Sequence, residues 1–309
     1  MTDPLPRAEQ APPGQATATE PGRRRQKSPY PMWFYAPAAV IYGVLFVVPT
    51  FASFYFALTR WTIFDSEFIG LENFRTFFSE PFLFDSLVNT LIFAVVTSGA
   101  KVVLGILIAV FLTSQIIARG WLRSVVFFPV LISAVGIGAT FAVLLDPFEG
   151  LVNRTLEAVG IDGPGWLTDP NLALISVALV DIWRGVGLAV LIYIAGIVAI
   201  PQEYFEAAKV DGASAVSRFW HVTLPLMRPA TTTVIILSLI GGLRSFDLIW
   251  TMTGGGPGFS SDVLASVVYK QYQAGFYGLS TAGNVVLFVL VALIVVPLFW
   301  YLNRKEVDR

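Results

Sequence analysis

Five ionisable residues, Lys101, Asp181, Arg184, Arg244 and Asp247, lie inside stretches that are otherwise almost wholly apolar. A charge held in hydrocarbon costs about 2.5–3.5 kcal/mol on insertion scales, so each must face protein or a water-filled cavity. Asp181 with Arg184, and Arg244 with Asp247, are three apart, so on a helix each pair can meet on one face. Counted from the outer ends of their segments, Asp181 and Arg184 lie about 15–20 Å deep, Lys101 about 20 Å and Arg244 about 12 Å. These depths overlap and mark a translocation path. Two readings are open: ion pairs that lock helices together, to which Lys101 and Asp181 belong, and a substrate-facing role. In the second, a hydroxylated ligand needs planar donors and acceptors for its hydroxyls and an aromatic face for its C–H side. Trp183, Arg184, Arg244 and Ser245 supply these groups.

Other chemistry is largely excluded by residue type. The chain has no cysteine and a single histidine, His221, which removes thiolate sites, Cys nucleophiles and most His-based metal or triad chemistry. A lone histidine on a surface helix reads as a packing or hydrogen-bonding residue. Gly254 to Gly258 is glycine-rich but lacks the lysine of a phosphate loop, and reads as a tight re-entrant or surface turn. Asp146 and Glu149 read as solvated loop charges instead of an acid–base pair. No catalytic constellation, metal or cofactor is expected. A net charge of −1 gives no excess of cations for a phosphate backbone, so nucleic acid is not an expected partner.

The elements that must position the charges follow from hydropathy. Of 309 residues, 55% are hydrophobic and 13% charged, which describes a membrane protein rather than a soluble enzyme. A spanning helix needs about 20 apolar residues. Six stretches qualify: Trp33 to Leu58, Leu87 to Thr113, Ser124 to Leu145, Leu172 to Ile200, Pro229 to Met252 and Thr281 to Leu302. Residues 1–30, rich in Pro, Ala, Gly and Thr, read as a disordered tail. One side of the implied topology collects twelve Lys and Arg residues, among them Arg23, Arg119, Lys209, Arg228 and Arg304. The other has Arg60, Arg75, Arg154 and Lys270. Positive loops resist translocation, so both termini are expected in the cytoplasm of a plasma membrane of bacterial type.

The cytoplasmic connection Pro201 to Arg228 is longer than neighbouring helices need. Pro201 suits a helix start, Gln202 to Val210 are fair helix formers, and Asp211-Gly212 supplies a turn. A second helix is expected over Ser214 to Val222, ended by Leu224-Pro225. The result is a helix-turn-helix with small residues near its bend, where another backbone can come close.

Glu206-Ala207-Ala208, Gly212 four positions on, and Val222-Thr223-Leu224-Pro225 resemble the EAA loop of binding-protein-dependent ABC importer permeases, with valine in place of the usual isoleucine. Ile69-Gly70-Leu71-Glu72-Asn73-Phe74, Asn89-Thr90-Leu91, and Ser245 to Trp250 followed by Thr253-Gly254-Gly255-Gly256-Pro257 resemble the carbohydrate-uptake branch, the maltose and glycerol-phosphate permease type. The resemblance covers the chain outside residues 1–30. It implies an all-α membrane protein, with one six-span permease domain over residues 31–309 and a cytoplasmic coupling loop over 201–228. It implies ATPase coupling through Glu206, Ala207, Ala208, Asp211 and Gly212, with Glu206 pairing with a basic residue of the motor. It also implies a substrate path along Trp183, Arg184, Gly185 and Leu188 and along Arg244, Ser245 and Asp247. The implied partners are a second homologous permease, two cytoplasmic ATPase subunits, an extracellular or periplasmic sugar-binding protein, membrane lipid and the sugar itself. The chain would be a non-catalytic subunit.

This sequence departs from the type at Arg184 and Arg244, where maltose-type permeases carry apolar or amide side chains. That permits an acidic, phosphorylated or amino-sugar ligand. A stand-alone secondary transporter is the alternative. It needs no cytoplasmic hairpin of this size and should show an inverted repeat, which is not detectable. An integral membrane enzyme should cluster catalytic residues at the membrane face.

Overall fold

The structure, a computed structural model, describes residues 32–62, 64–114 and 116–307. The expected disordered tail lies outside the described residues. The chain divides into two units, Met1–Val48 and Pro49–Arg309. In the first, a 3-10 turn Met32–Tyr35 leads into α1 (Ala36–Tyr42) and a π turn Gly43–Val47, with Tyr42 stacked on Phe46 at 5.0 Å. None of α1 is buried.

The second unit takes in α2 (Val48–Phe56), a hairpin of β1 (Thr59–Trp61) and β2 (Ser66–Phe68), α3 (Glu72–Ser79) and the long α4 (Pro81–Thr113). The hairpin is antiparallel with Arg60 opposite Glu67, the one strand pair among the described residues. Then come α5 (Arg119–Leu131), α6 (Ala134–Leu144), α7 (Leu151–Ala158) and α8 (Ala173–Val198). Two short helices, α9 (Gln202–Val210) and α10 (Ala215–Arg218), lead through a π turn and α11 (Leu224–Leu226) to α12 (Arg228–Leu243). The chain closes with α13 (Asp247–Met252), α14 (Leu264–Gln273) and α15 (Tyr277–Val307).

Trp33–Phe56, α4, α8 and Tyr277–Arg304 are each long and apolar enough to cross a bilayer. Two bent helix pairs raise the number to six when each is taken as one span: α5 with α6, bent by 96°, and Ala215–Leu226 with α12, bent by 69°. The third expected span is therefore broken within its length, while the 69° bend lies at Met227, just before the fifth expected span, which has a break of its own. In the third, Pro129 withholds the N–H that would close on Val125, and α5 ends within a turn as Ile132 takes up an extended conformation. In the fifth, the expected run Pro229 to Met252 is interrupted at residues 244–246. The Gly241-Gly242 pair weakens the last turn of α12, and Ser245 N–H closes on Gly242 C=O at 3.2 Å.

At the centre α4 packs against α8 and α12, while α5 lies on α8 and α13 on α6. Ala109, Leu112, Tyr193, Met227 and Val234 form one buried cluster between these helices, and Phe93, Val177, Leu248, Ile249 and Val263 another. Apolar side chains such as Leu293 (68% exposed) and Val296 (63% exposed) point outward from α15, as a lipid solvent permits. Small residues allow the close helix contacts. A Cβ on Gly187 of α8 would stand 2.5 Å from the Val126 carbonyl oxygen and 3.1 Å from Phe127 Cα, both backbone atoms of α5.

Gly187→Val must therefore push α5 off α8. The expected cost is about 1–3 kcal/mol, read as a lowered thermal midpoint of the purified protein. Gly99→Ala, whose Cβ would meet nothing within 4 Å, should leave the midpoint unchanged or raise it. Equal midpoints for the two variants would contradict the packing described.

Candidate functional site

The two breaks and the middle of α8 frame a cavity of about 340 Å³. Lys101 of α4 lines it, with Asp181, Arg184, Gly185 and Leu188 of α8 and Arg244, Ser245, Phe246 and Asp247 at the interruption after α12. Non-helical backbone at membrane depth is tolerated only where protein buries it or water reaches it, and here it borders the cavity.

The charges pair differently from the spacing-based expectation. Lys101 Nζ donates to Asp181 Oδ2 at 2.5 Å, with the two side chains 8% and 13% exposed, so Asp181 is bound across to α4 and not along its own helix to Arg184. Gly185 makes this possible, because a Cβ there would lie 2.7 Å from Lys101 Cε. Arg244 and Asp247 form no ion pair. The helix ends at Arg244, so the geometry that brings residues three apart together does not exist across the break. Arg184 Nε is buried with no hydrogen-bond partner.

Trp183 is absent from the cavity wall. One residue from Arg184, it is rotated by about 100° on the helix; it is half exposed and packs on Phe141 of α6 at 5.3 Å. The aromatic face in the cavity is Phe246, stacked on Trp250 at 5.7 Å, with Tyr269 edge-on to both. Phe246 stood in a quoted motif, but no spacing rule could assign it this place.

The other motifs act as pins between elements. Asn89 Nδ2 donates to the carbonyls of Ser260 and Asp262 at 3.0 and 2.9 Å, and Thr90 Oγ1 accepts the Leu264 N–H at 2.8 Å. Asn73 Nδ2 donates to the Ala57 and Thr59 carbonyls, each at 2.9 Å. The glycine-rich loop closes over Asp262, which pairs with Lys270 at 2.7 Å and accepts the Ser266 hydroxyl at 2.8 Å. Gly255 has φ +87°, and a Cβ on it would collide with the Asp262 carboxylate. Burial pushes the Asp262 carboxyl above the ordinary range, against the pull of Lys270 and Ser266. Asp146 lies below that range because it accepts the Glu149 and Phe148 N–H groups.

The hairpin is regularly built. Gly212 at φ +73° lets Ala213 N–H reach Ala208 C=O at 2.9 Å and its own N–H reach Lys209 C=O at 3.0 Å, a Schellman stop for α9. Ser214 Oγ caps α10 by accepting Ser217 N–H. Leu224-Pro225 does not end the second helix as expected. The helical run continues through a π turn, closed by Leu224 N–H on Phe219 C=O, and breaks at Met227. Glu206, Ala207, Asp211 and Gly212 are exposed and Ala208 half-buried, beside exposed Tyr204, Val210, Val216 and Trp220. His221 Nδ1 lies 2.9 Å from the Ser217 carbonyl and has a local structural role.

Residues 101–305, which hold the hairpin and every cavity residue named above, match the family described as binding-protein-dependent transport system inner membrane component. The chain belongs to that family. As its membrane component, it is a non-catalytic permease subunit of an ABC importer. Among its relatives are the probable ABC transporter permease protein YurN of Bacillus subtilis, 34% identical over 89% of this chain and 97% of that one, and the trehalose/maltose transport system permease protein MalF of Thermococcus litoralis, 33% identical over 82% and 87%. The crystal structure of a bacterial ABC transporter involved in import of the acidic polysaccharide alginate has a chain of the same fold. Its TM-score is 0.77 at 24% identity, covering 88% of this chain and 95% of that one.

Within this permease, the Lys101–Asp181 pair joins the two central helices. Lys101→Met strands the Asp181 carboxylate and should destabilise the subunit by about 3–5 kcal/mol, whereas Lys101→Met with Asp181→Leu should recover most of the loss. Thermal unfolding of the four proteins of the cycle measures the coupling. Additive effects would show that the pair carries no joint role.

Proposed function

We propose that this subunit moves a sugar or oligosaccharide across a bacterial cytoplasmic membrane, with both termini inside. It pairs with a second homologous permease, two ATPase subunits and a periplasmic or lipid-anchored sugar-binding protein, and its permease domain covers residues 31–309. The sugar assignment is supported by the relative whose name gives trehalose and maltose as cargo. It is supported too by a cavity that offers Ser245, Phe246 and guanidinium groups together. A second permease is physically required, because one bundle with its charged cavity at a helix break must be closed by protein on the remaining side.

The observation that carries the coupling role is the rigid, doubly capped hairpin with Glu206, Ala207 and Gly212 at its exposed end. Small residues at the bend admit a partner backbone, and Glu206 offers the charge that a basic residue of the motor would pair with. The exposed Tyr204, Val210, Val216 and Trp220 supply apolar contact area around it. The stand-alone carrier has lost its ground, since the family works by its own description with a binding protein.

Glu206→Ala should weaken ATPase docking by about 2–5 kcal/mol, and Gly212→Val should do so by straining the positive-φ turn. Both should abolish uptake while membrane insertion stays intact, and unaltered uptake in both would remove the coupling role. The chain has no cysteine, so a lone Val210→Cys reports topology cleanly. A membrane-impermeant maleimide should label it only in inverted vesicles, and labelling from outside whole cells would reverse the proposed orientation.

A further inference from the structure

We infer that the cavity is built for a sugar carrying one singly charged oxyanion, a carboxylate or sulfonate, gripped by Arg184 and Arg244. This rests on the sugar-permease reading of the same cavity and narrows its substrate class. Five ionisable groups line the space. Lys101 and Asp181 neutralise each other at 2.5 Å. Arg184, Arg244 and Asp247 have no ion-pair partner among the described residues, which leaves the cavity with one net positive charge.

Two features point this surplus at a ligand. Arg184 Nε is buried and lacks an acceptor among the described residues, so no acceptor of the protein ties down the guanidinium at that nitrogen where it borders the cavity. Guanidinium groups also present a planar fork that matches carboxylates and sulfonates. The charge count selects among the candidates. A protonated amino sugar would add a second uncompensated positive charge, and a phosphate monoester near two negative charges would overshoot. A neutral sugar would leave the surplus in place. One negative charge balances it, while Asp247 and Ser245 remain to accept from hydroxyls and Phe246 to cover a C–H face.

The test uses D-glucuronate, D-glucose and D-glucosamine, titrated by equilibrium dialysis into the assembled transporter with its ATPase subunits in nanodiscs. Glucuronate should bind about tenfold tighter than glucose, with glucosamine the weakest. Arg184→Gln and Arg244→Gln should each reduce glucuronate affinity by about tenfold and glucose affinity by less, so that the preference for the acid shrinks, with Arg244→Lys retaining part of it. Size-exclusion chromatography establishes that each variant still assembles. Glucuronate binding no tighter than glucose overturns the acid assignment and leaves the sugar reading standing, as does a preference that survives Arg184→Gln combined with Arg244→Gln. If none of the three probes binds, the sugar reading fails as well.

Discussion

Hydrocarbon offers no hydrogen bond and little screening, so every polar group the chain carries across the bilayer must find its partner in protein or trapped water. Lys101 and Asp181 meet that demand by pairing across α4 and α8 at 2.5 Å. The remaining structure follows from accommodating them. Gly185 has no side chain because the lysine stem passes where one would lie, and Gly187, half a turn on, brings α5 onto the same helix. Residues 244–246 leave the helix where the backbone can border a cavity instead of lipid. The charges that are not paired, Arg184, Arg244 and Asp247, are all found at that cavity.

How much of this was readable in advance depended on whether a feature is local. The presence and apolarity of α4, α8 and α15 follow from composition over about 20 residues, although α4 begins at Pro81 and α15 runs from Tyr277 to Val307, beyond the expected apolar runs. The helix α9 was readable to the residue because Pro201 and Gly212 punctuate it. Hydropathy reports composition but not direction. The 96° bend between α5 and α6 does not interrupt the apolar run, and its one mark in the sequence is Pro129. Pairing suffered in the same way. Helix spacing offered Arg184 to Asp181 and Asp247 to Arg244, but Asp181 meets Lys101, 80 residues away and grouped with it among the helix-locking charges, and a broken helix separates Arg244 from Asp247. Trp183 was grouped with Arg184 by its chemical type, and helical phase turns it away from the cavity wall.

The asparagine motifs were quoted from resemblance without a physical reason, and the structure supplies one. An Asn side chain carries two N–H donors and so can hold two carbonyls at once. Asn89 ties α4 to the loop before α14, while Asn73 ties α3 to the end of α2 and to β1. Neither bond could be drawn from sequence, because the carbonyls belong to backbone whose position only the fold determines.

The arrangement also bears on how a cytoplasmic event could reach the cavity. The hairpin hangs between two helices and has no other covalent connection to the membrane domain. On one side α8 runs from Arg184 to Val198, about 21 Å. On the other α12 runs from Arg228 to its end beside Arg244, about 24 Å. Each helix therefore has the hairpin at one end and a cavity guanidinium toward the other. Whatever part of a hairpin displacement the junctions at residues 199–201 and Met227 transmit cannot be absorbed inside these helices without breaking backbone hydrogen bonds in a medium that would not replace them, so that part is passed on to the interruption after Leu243 and to the α5–α6 break that α8 supports. Those breaks are where the backbone can turn at least cost, and the same unwound residues that admit the motion also line the space the substrate would occupy.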